Sequence, residues 1–281
     1  MTDTKVLVDG LCFGEGPRWR NGKLYFSDMH ANTVYTVDGT GSLETVVRLN
    51  DDQPSGLGWL PDGRLLIVSM KERKLLVFDE TSLSVMADLS NLASYHCNDM
   101  VTDALGRSYV GNFGFDLHAS ETFKKAEIIL VEPDGNSRIV ATELAFPNGT
   151  VITPDERTLI VAETMAASLT AFDIHPDGSL SNRRLWAKLD NALPDGICLD
   201  SAGGIWVASP SSNEALRIEE GGKVTDRVAV ATSAFACMLG GEHGKTLHIL
   251  TSRNSDPESC ARKQSGAIEI TEVKHAGAGW P

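Results

Sequence analysis

At 281 residues, 42% of them hydrophobic, the chain can bury a sizeable core. Its 25 Lys and Arg against 38 Asp and Glu give a formal charge of -13, and no basic run exceeds Lys124-Lys125, so nucleic acid and anionic membrane are poor partners. No apolar run reaches the roughly 20 residues of a membrane span, and the opening MTDTKVLVDG has neither the basic nor the apolar region of a secretory leader.

In chain order, a strand over residues 5–8 is followed by EGPRWRNGKLYFSD, two short apolar strands joined at an Asn-Gly turn. The same hairpin pattern returns five more times, most clearly as LPDGICLDSAGGIWVAS at 193–209. Aligned on their turns, the copies share one position eight residues before the turn residue. It is Ser55 before Gly63, Asn98 before Gly106, Asn148 before Glu156, Asp195 before Gly203 and Ala236 before Gly244. The first copy is one residue shorter and gives Glu15. The intervals are 40, 43, 50, 47 and 41 residues, the period of a β-propeller blade.

Further strands follow the hairpins, at 74–78 and 84–88, at 128–132 and 137–141, and at 169–173 and 184–189. Helical signals are nearly absent, and no linker or low-complexity tract interrupts the repeats. The expected fold is therefore all-β: a six-bladed β-propeller of four-stranded antiparallel blades, one domain over 1–281. The strands at 5–8 and 267–273 remain at the chain ends, and one of them is expected to complete the last blade, where an open edge would be a liability.

Antiparallel parity then places the aligned residues, the loops after each second strand and the connections between blades on one face. Those loops are 29–30, 70–71, 113–125, 164–168, 210–214 and 253–265. On that face Glu15, Asn98, Asn148 and Asp195 present oxygen atoms from four blades to one centre. Hard divalent ions such as Ca²⁺ take such donors, with water completing the shell. No imidazole or thiolate lies in the set, which argues against a zinc site. Asp and Asn at strand entries also make local Asx turns, but four donors in one register ask for more than local turns. Ser55 is a weak donor and Ala236 none. Cys12, Cys97, Cys198, Cys237 and Cys260 are an odd set without metal or redox spacing, which points to buried reduced thiols and a cytoplasmic protein.

EGPRW, CNDMVTDALGR, FPNGTVITPDERTLIVAE and LPDGICLDSAGGIWVA, in this order and at this spacing, resemble segments of the regucalcin (senescence marker protein)/gluconolactonase family. The resemblance covers essentially the whole chain. It implies a six-bladed propeller holding one divalent metal, usually calcium, and hydrolysing lactones. It places the metal ligands on Glu15, Asn148 and Asp195, the proposed base on Asp195, and a contact to metal-bound water or substrate on Asn98. In the sugar lactonases of the family an arginine that holds substrate hydroxyls sits two residues before the channel asparagine, where this chain has His96.

The expected activity is divalent-metal-dependent hydrolysis of a lactone, a carboxylic ester, in which the cation stabilises the developing oxyanion and Asp195 takes or orients the proton of the attacking water. No GxSxG motif offers a serine nucleophile. Two alternatives remain: a non-catalytic propeller in which the metal locks the channel and the rim binds a small ligand or protein, and an aryl ester or organophosphate hydrolase on the same site. A small-molecule substrate is expected, without nucleic acid, membrane or an obligate protein partner. His96, close to the channel, is a candidate substrate contact, and His30 and His118 lie in loops of the same face. Met29, Met70, Phe113, Phe115 and Met165 give that face an apolar rim, which predicts a preference for less polar lactones over aldonolactones.

Overall fold

The computed structural model describes residues 4–117 and 119–278. Among them, each repeated hairpin forms the two inner strands of a blade, and six four-stranded sheets result. The inner strands, in blades 1 to 6, are Gly14–Arg20, Pro54–Trp59, Cys97–Thr102, Pro147–Ile152, Ile197–Leu199 and Ser233–Gly240. Those of blades 3 and 4 are buried at every residue. Outer strands such as Leu43–Arg48 are largely exposed, so apolar content falls from the channel outwards.

The core lies between neighbouring blades, because a twisted sheet buries its faces only against the next one. Leu66, Val68 and Leu75 of blade 2 pack with Met100, Val110 and Ile129 of blade 3. At about 1.5–3 kcal/mol for each large apolar side chain removed from water, these interfaces hold the ring together.

Closure departs from expectation in one respect. Blade 6 is built from Ser233–Gly240, Thr246–Ser252, Gly266–Glu272 and, outermost, Lys5–Leu11. Both end strands, not one, complete it, with Lys5 opposite Ile270 and Leu11 opposite Gly266. The outer strand of blade 4 is also longer than read, Leu180–Lys188.

A helix that the repeat pattern did not announce, Pro257–Lys263, follows the second strand of blade 6. Asp256 caps it by accepting from the Ser259 amide at 2.8 Å, Pro257 opens the first turn, and Arg262 and Lys263 close the last. Among the described residues no helix is long and apolar enough to cross a membrane. All five cysteines are free and buried.

Candidate active site

In blades 1 to 4 the aligned residue stands near the start of the inner strand, where the ladder slips, whereas Asp195 of blade 5 lies just before its inner strand, which pairs without a slip. Pairing jumps from Glu15–Ser27 to Arg18–Tyr25, and from Pro147–Glu163 to Thr150–Val161. Blades 2 and 3 slip likewise between Pro54 and Leu57 and between Cys97 and Met100. Such irregularities re-aim a side chain that regular pairing would hold to one sheet face. A glycine follows the ring residue in four blades, and two of these show why. A Cβ on Gly149 would lie 2.4 Å from the Ile197 nitrogen, and one on Gly196 2.7 Å from the Ala236 Cα. Bare backbone lets successive inner strands touch, with the Gly149 amide donating to the Asp195 carbonyl at 3.1 Å.

The four donors read from the repeats come together. Glu15, Asn98, Asn148 and Asp195 are all buried and line one cavity of about 300 Å³. Asn98 donates to the Pro147 carbonyl and accepts from Ser55, both at 3.4 Å, while Asn148 donates to Thr164 Oγ1 at 3.3 Å. Glu15 Oε2 accepts from the Gly16 amide at 3.2 Å. Asp195 Oδ1 is buried without a hydrogen-bond partner. Ser55 and Ala236 are buried but do not line the cavity.

Burial raises the pKa of Asp195 to about 8; a hydrogen bond from Asn148 opposes this and the nearby Asp99 charge adds to it. Burial also raises Glu15 well above the usual carboxylate range, reinforced by Asp195 and then Asp99. Beside them lies an ion pair that the repeat reading missed. Arg18 Nη2 meets Asp99 Oδ1 at 2.8 Å, Nε reaches the Leu57 carbonyl at 3.1 Å, Nη1 reaches that of Pro17 at 2.8 Å, and Nη2 also contacts the Met100 carbonyl. Arg18 thereby ties blades 1, 2 and 3 together. Glu15, Asp99 and Asp195 against Arg18 leave two negative charges when ionised, which one divalent cation balances. An unpartnered buried carboxylate oxygen, a second carboxylate and two amides suit a hard, oxygen-seeking ion. Among the described residues no three His, Cys, Asp or Glu side chains cluster as a metal site.

The walls differ in character. Met29, Met70 and Phe113 are buried and line the cavity, as does Met165, which is 46% exposed at the rim. Phe115 sits outside the lining, edge-on behind Phe146 at 5.9 Å. His118 lies outside the described residues. His96 lines the cavity half-buried, stacked on Tyr95 at 4.1 Å, its pKa lowered chiefly by burial. His30 also lines it: Gln53 Nε2 donates to His30 Nδ1 at 3.0 Å, which leaves Nε2–H for the Ser255 carbonyl at 3.2 Å.

Phe13, Gln53, Phe146, Phe235, Ser255 and Pro257 complete walls that the sequence reading left unassigned. The repeat alignment carries the signal for three of them, since Phe13, Gln53 and Phe146 share with His96 the place two residues before the ring. Phe146 adopts φ 63°, a left-handed conformation that costs a bulky L-residue roughly 1–2 kcal/mol. Such strain concentrates at functional sites.

Fold and site define a six-bladed propeller with a buried oxygen-donor ring at the base of an accessible cavity. The chain belongs to the SMP-30/gluconolactonase/LRE-like family, whose model matches residues 13–253. It is 25% identical over 278 residues to 6-deoxy-6-sulfogluconolactonase from Pseudomonas putida, covering 95% of this chain and 94% of that one. It is 26% identical over 258 residues to a pentonolactonase from Haloferax volcanii, covering 89% and 85%. Its fold matches that of a regucalcin from Agrobacterium tumefaciens, described as a calcium-binding protein, with a TM-score of 0.82, 20% identity and coverage of 100% and 97%.

Proposed function

We propose that the protein is a divalent-cation-dependent lactonase whose reaction centre is the ring of Glu15, Asn98, Asn148 and Asp195. The observation that carries this reading is the Asp195 carboxylate, buried beside Glu15 and two amides with Oδ1 unpartnered, on the wall of a cavity that admits a small molecule. Two relatives that match over most of their length are named lactonases, which supports the reaction class.

Glu15, Asn148 and Asp195 would hold the cation, with Asn98 beside it. When bound, the ion, most simply Ca²⁺, supplies a positive charge that polarises the ester carbonyl. Asp195, whose Oδ1 has no hydrogen-bond partner within the protein, orients the attacking water and takes its proton. That proton then passes to the departing ring oxygen, and the product is the open hydroxy acid. Asn98 steadies the water or the carbonyl group by its amide. Phe113, Met29 and Met70 keep bulk water from the reacting ester.

A lactone panel assayed with calcium and with a chelator tests the reading, alongside Asp195→Asn. Turnover should require the cation, and Asp195→Asn should lower kcat by more than the ~10²-fold scale of general-base catalysis while the protein stays folded. Wild-type turnover in the chelator or in the variant would refute it.

A further inference from the structure

The walls above the ring hold a feature that ester hydrolysis alone does not require. Phe13 and Phe235 meet edge to face with centroids 4.7 Å apart, where blade 6 meets blade 1. Phe113 and Phe146 stack at 4.7 Å, 21° from parallel, where blade 3 meets blade 4. In a closed ring of six blades these two junctions lie diametrically opposite, so two aromatic pairs confront each other across the channel mouth. All four rings line the cavity, and Phe146 is held there at a strained φ of 63°.

Several polar groups on the same walls are already committed. Gln53 donates to His30, His30 to the Ser255 carbonyl, and the Thr164 hydroxyl to the Pro194 carbonyl at 2.7 Å. Beyond Lys71, Tyr95, His96 and Asp116, which also line the cavity, a polyhydroxylated ring entering here would meet aromatic faces, thioethers and occupied hydrogen-bonding groups, and each hydroxyl left unpaired would weaken it. A flat aromatic ring would instead gain offset-stacked and edge-to-face contacts on both sides.

We propose that the site takes a flat aromatic ligand, and as substrate a benzo-fused lactone, with its arene between the two phenylalanine pairs and its carbonyl towards Asp195. The chemistry rests on the lactonase reading, whereas the selectivity rests on the walls. Water adds to the carbonyl carbon, the endocyclic C–O bond breaks, and the phenolic oxygen receives the proton that water gives up. The product is a hydroxyaryl acid, and no redox partner is needed.

The test uses the full-length, calcium-loaded protein. Values of kcat/KM are measured for dihydrocoumarin, δ-valerolactone and glucono-δ-lactone, each divided by its uncatalysed hydrolysis rate. Binding of chroman, the benzo-fused ether without the carbonyl, is followed by NMR titration. Dihydrocoumarin should exceed δ-valerolactone by tenfold or more, with glucono-δ-lactone lower still. The quotient should fall at least fivefold in Phe113→Leu and Phe146→Leu, through KM rather than kcat, and chroman should bind more weakly to both. A quotient near one, or a best substrate that is the sugar lactone, overturns the aromatic slot and leaves the lactonase reading standing. Turnover of none of the three, with chroman still bound and weakened by Phe146→Leu, overturns the lactonase reading and leaves the slot. Failure of chroman to bind the wild-type protein overturns the slot directly, without any variant.

Discussion

Replacing Arg18 with Met asks how the channel is held together beside its ring of donors. Arg18 is 2% exposed and its partner Asp99 5%, so water cannot take over for either. The substitution keeps an aliphatic stem but leaves the Asp99 carboxylate without its cation and strips a donor from the Pro17, Leu57 and Met100 carbonyls. Breaking one side of a buried ion pair costs about 3–5 kcal/mol. At ~2–4 °C per kcal/mol for a protein of this size, Tm should fall by roughly 6–20 °C. Asp99→Asn alone strands the guanidinium and should also destabilise. The double variant Arg18→Met/Asp99→Asn buries no unpaired charge and should recover more than half of the loss. Calorimetry of the four proteins in a chelator, which keeps cation binding out of the comparison, gives the coupling energy. An Arg18→Met protein melting within ~2 °C of wild type, or a double variant no more stable than the single, would refute the argument.

His248 should make the fold acid-sensitive. Burial holds its pKa down at about 4, beneath the Trp19 ring 5.3 Å away. Its folded pKa lies below the unfolded value near 6.5, so its neutral form contributes fully above ~6.5 and that contribution is lost as pH falls towards 4, about 2 kcal/mol of it by pH 5. Urea unfolding at pH 7 and pH 5 should show this loss in wild type and not in His248→Gln; equal slopes would exclude the assignment. Gly149→Ala places a methyl 2.4 Å from the Ile197 nitrogen and should cost about 1–3 kcal/mol while displacing Asp195, read as lower Tm and lower kcat together. Cation binding should raise Tm by linkage, about 2.7 kcal/mol at a hundredfold excess over Kd; an unchanged melting curve after exhaustive chelation would count against the ring as a cation site.

The periodic features of this structure are the ones that could be read in the chain. A hairpin with a Gly-rich turn repeats at blade spacing, so blade number, strand order and the convergence of Glu15, Asn98, Asn148 and Asp195 followed from aligning the turns. Elements that obey local rules outside the repeat were harder to see. Asp256-Pro257-Glu258 is a helix start, yet it sits in a loop where the pattern asks for none. Arg18 and Asp99 lie 81 residues apart and pair because inner strands of different blades converge on the channel. Phe235 reaches the cavity from a blade whose ring position is Ala236, and only the path of the backbone reveals that. Lys5–Leu11 and Gly266–Glu272 were both legible as strands, but a count of four strands per blade did not say that the last blade had room for both.

That last blade joins two strands far apart in sequence, Lys5–Leu11 and Gly266–Glu272, and this has consequences during synthesis. Lys5–Leu11 is made some 260 residues before its partner Gly266–Glu272, a wait of roughly 13–50 s at ribosomal rates of ~5–20 residues per second. Throughout that interval the earlier blades can form, but the circle stays open and the opening strand has no native mate. A neighbouring nascent chain offers the same mate, so two copies on one message can exchange their first strands and close each other's rings.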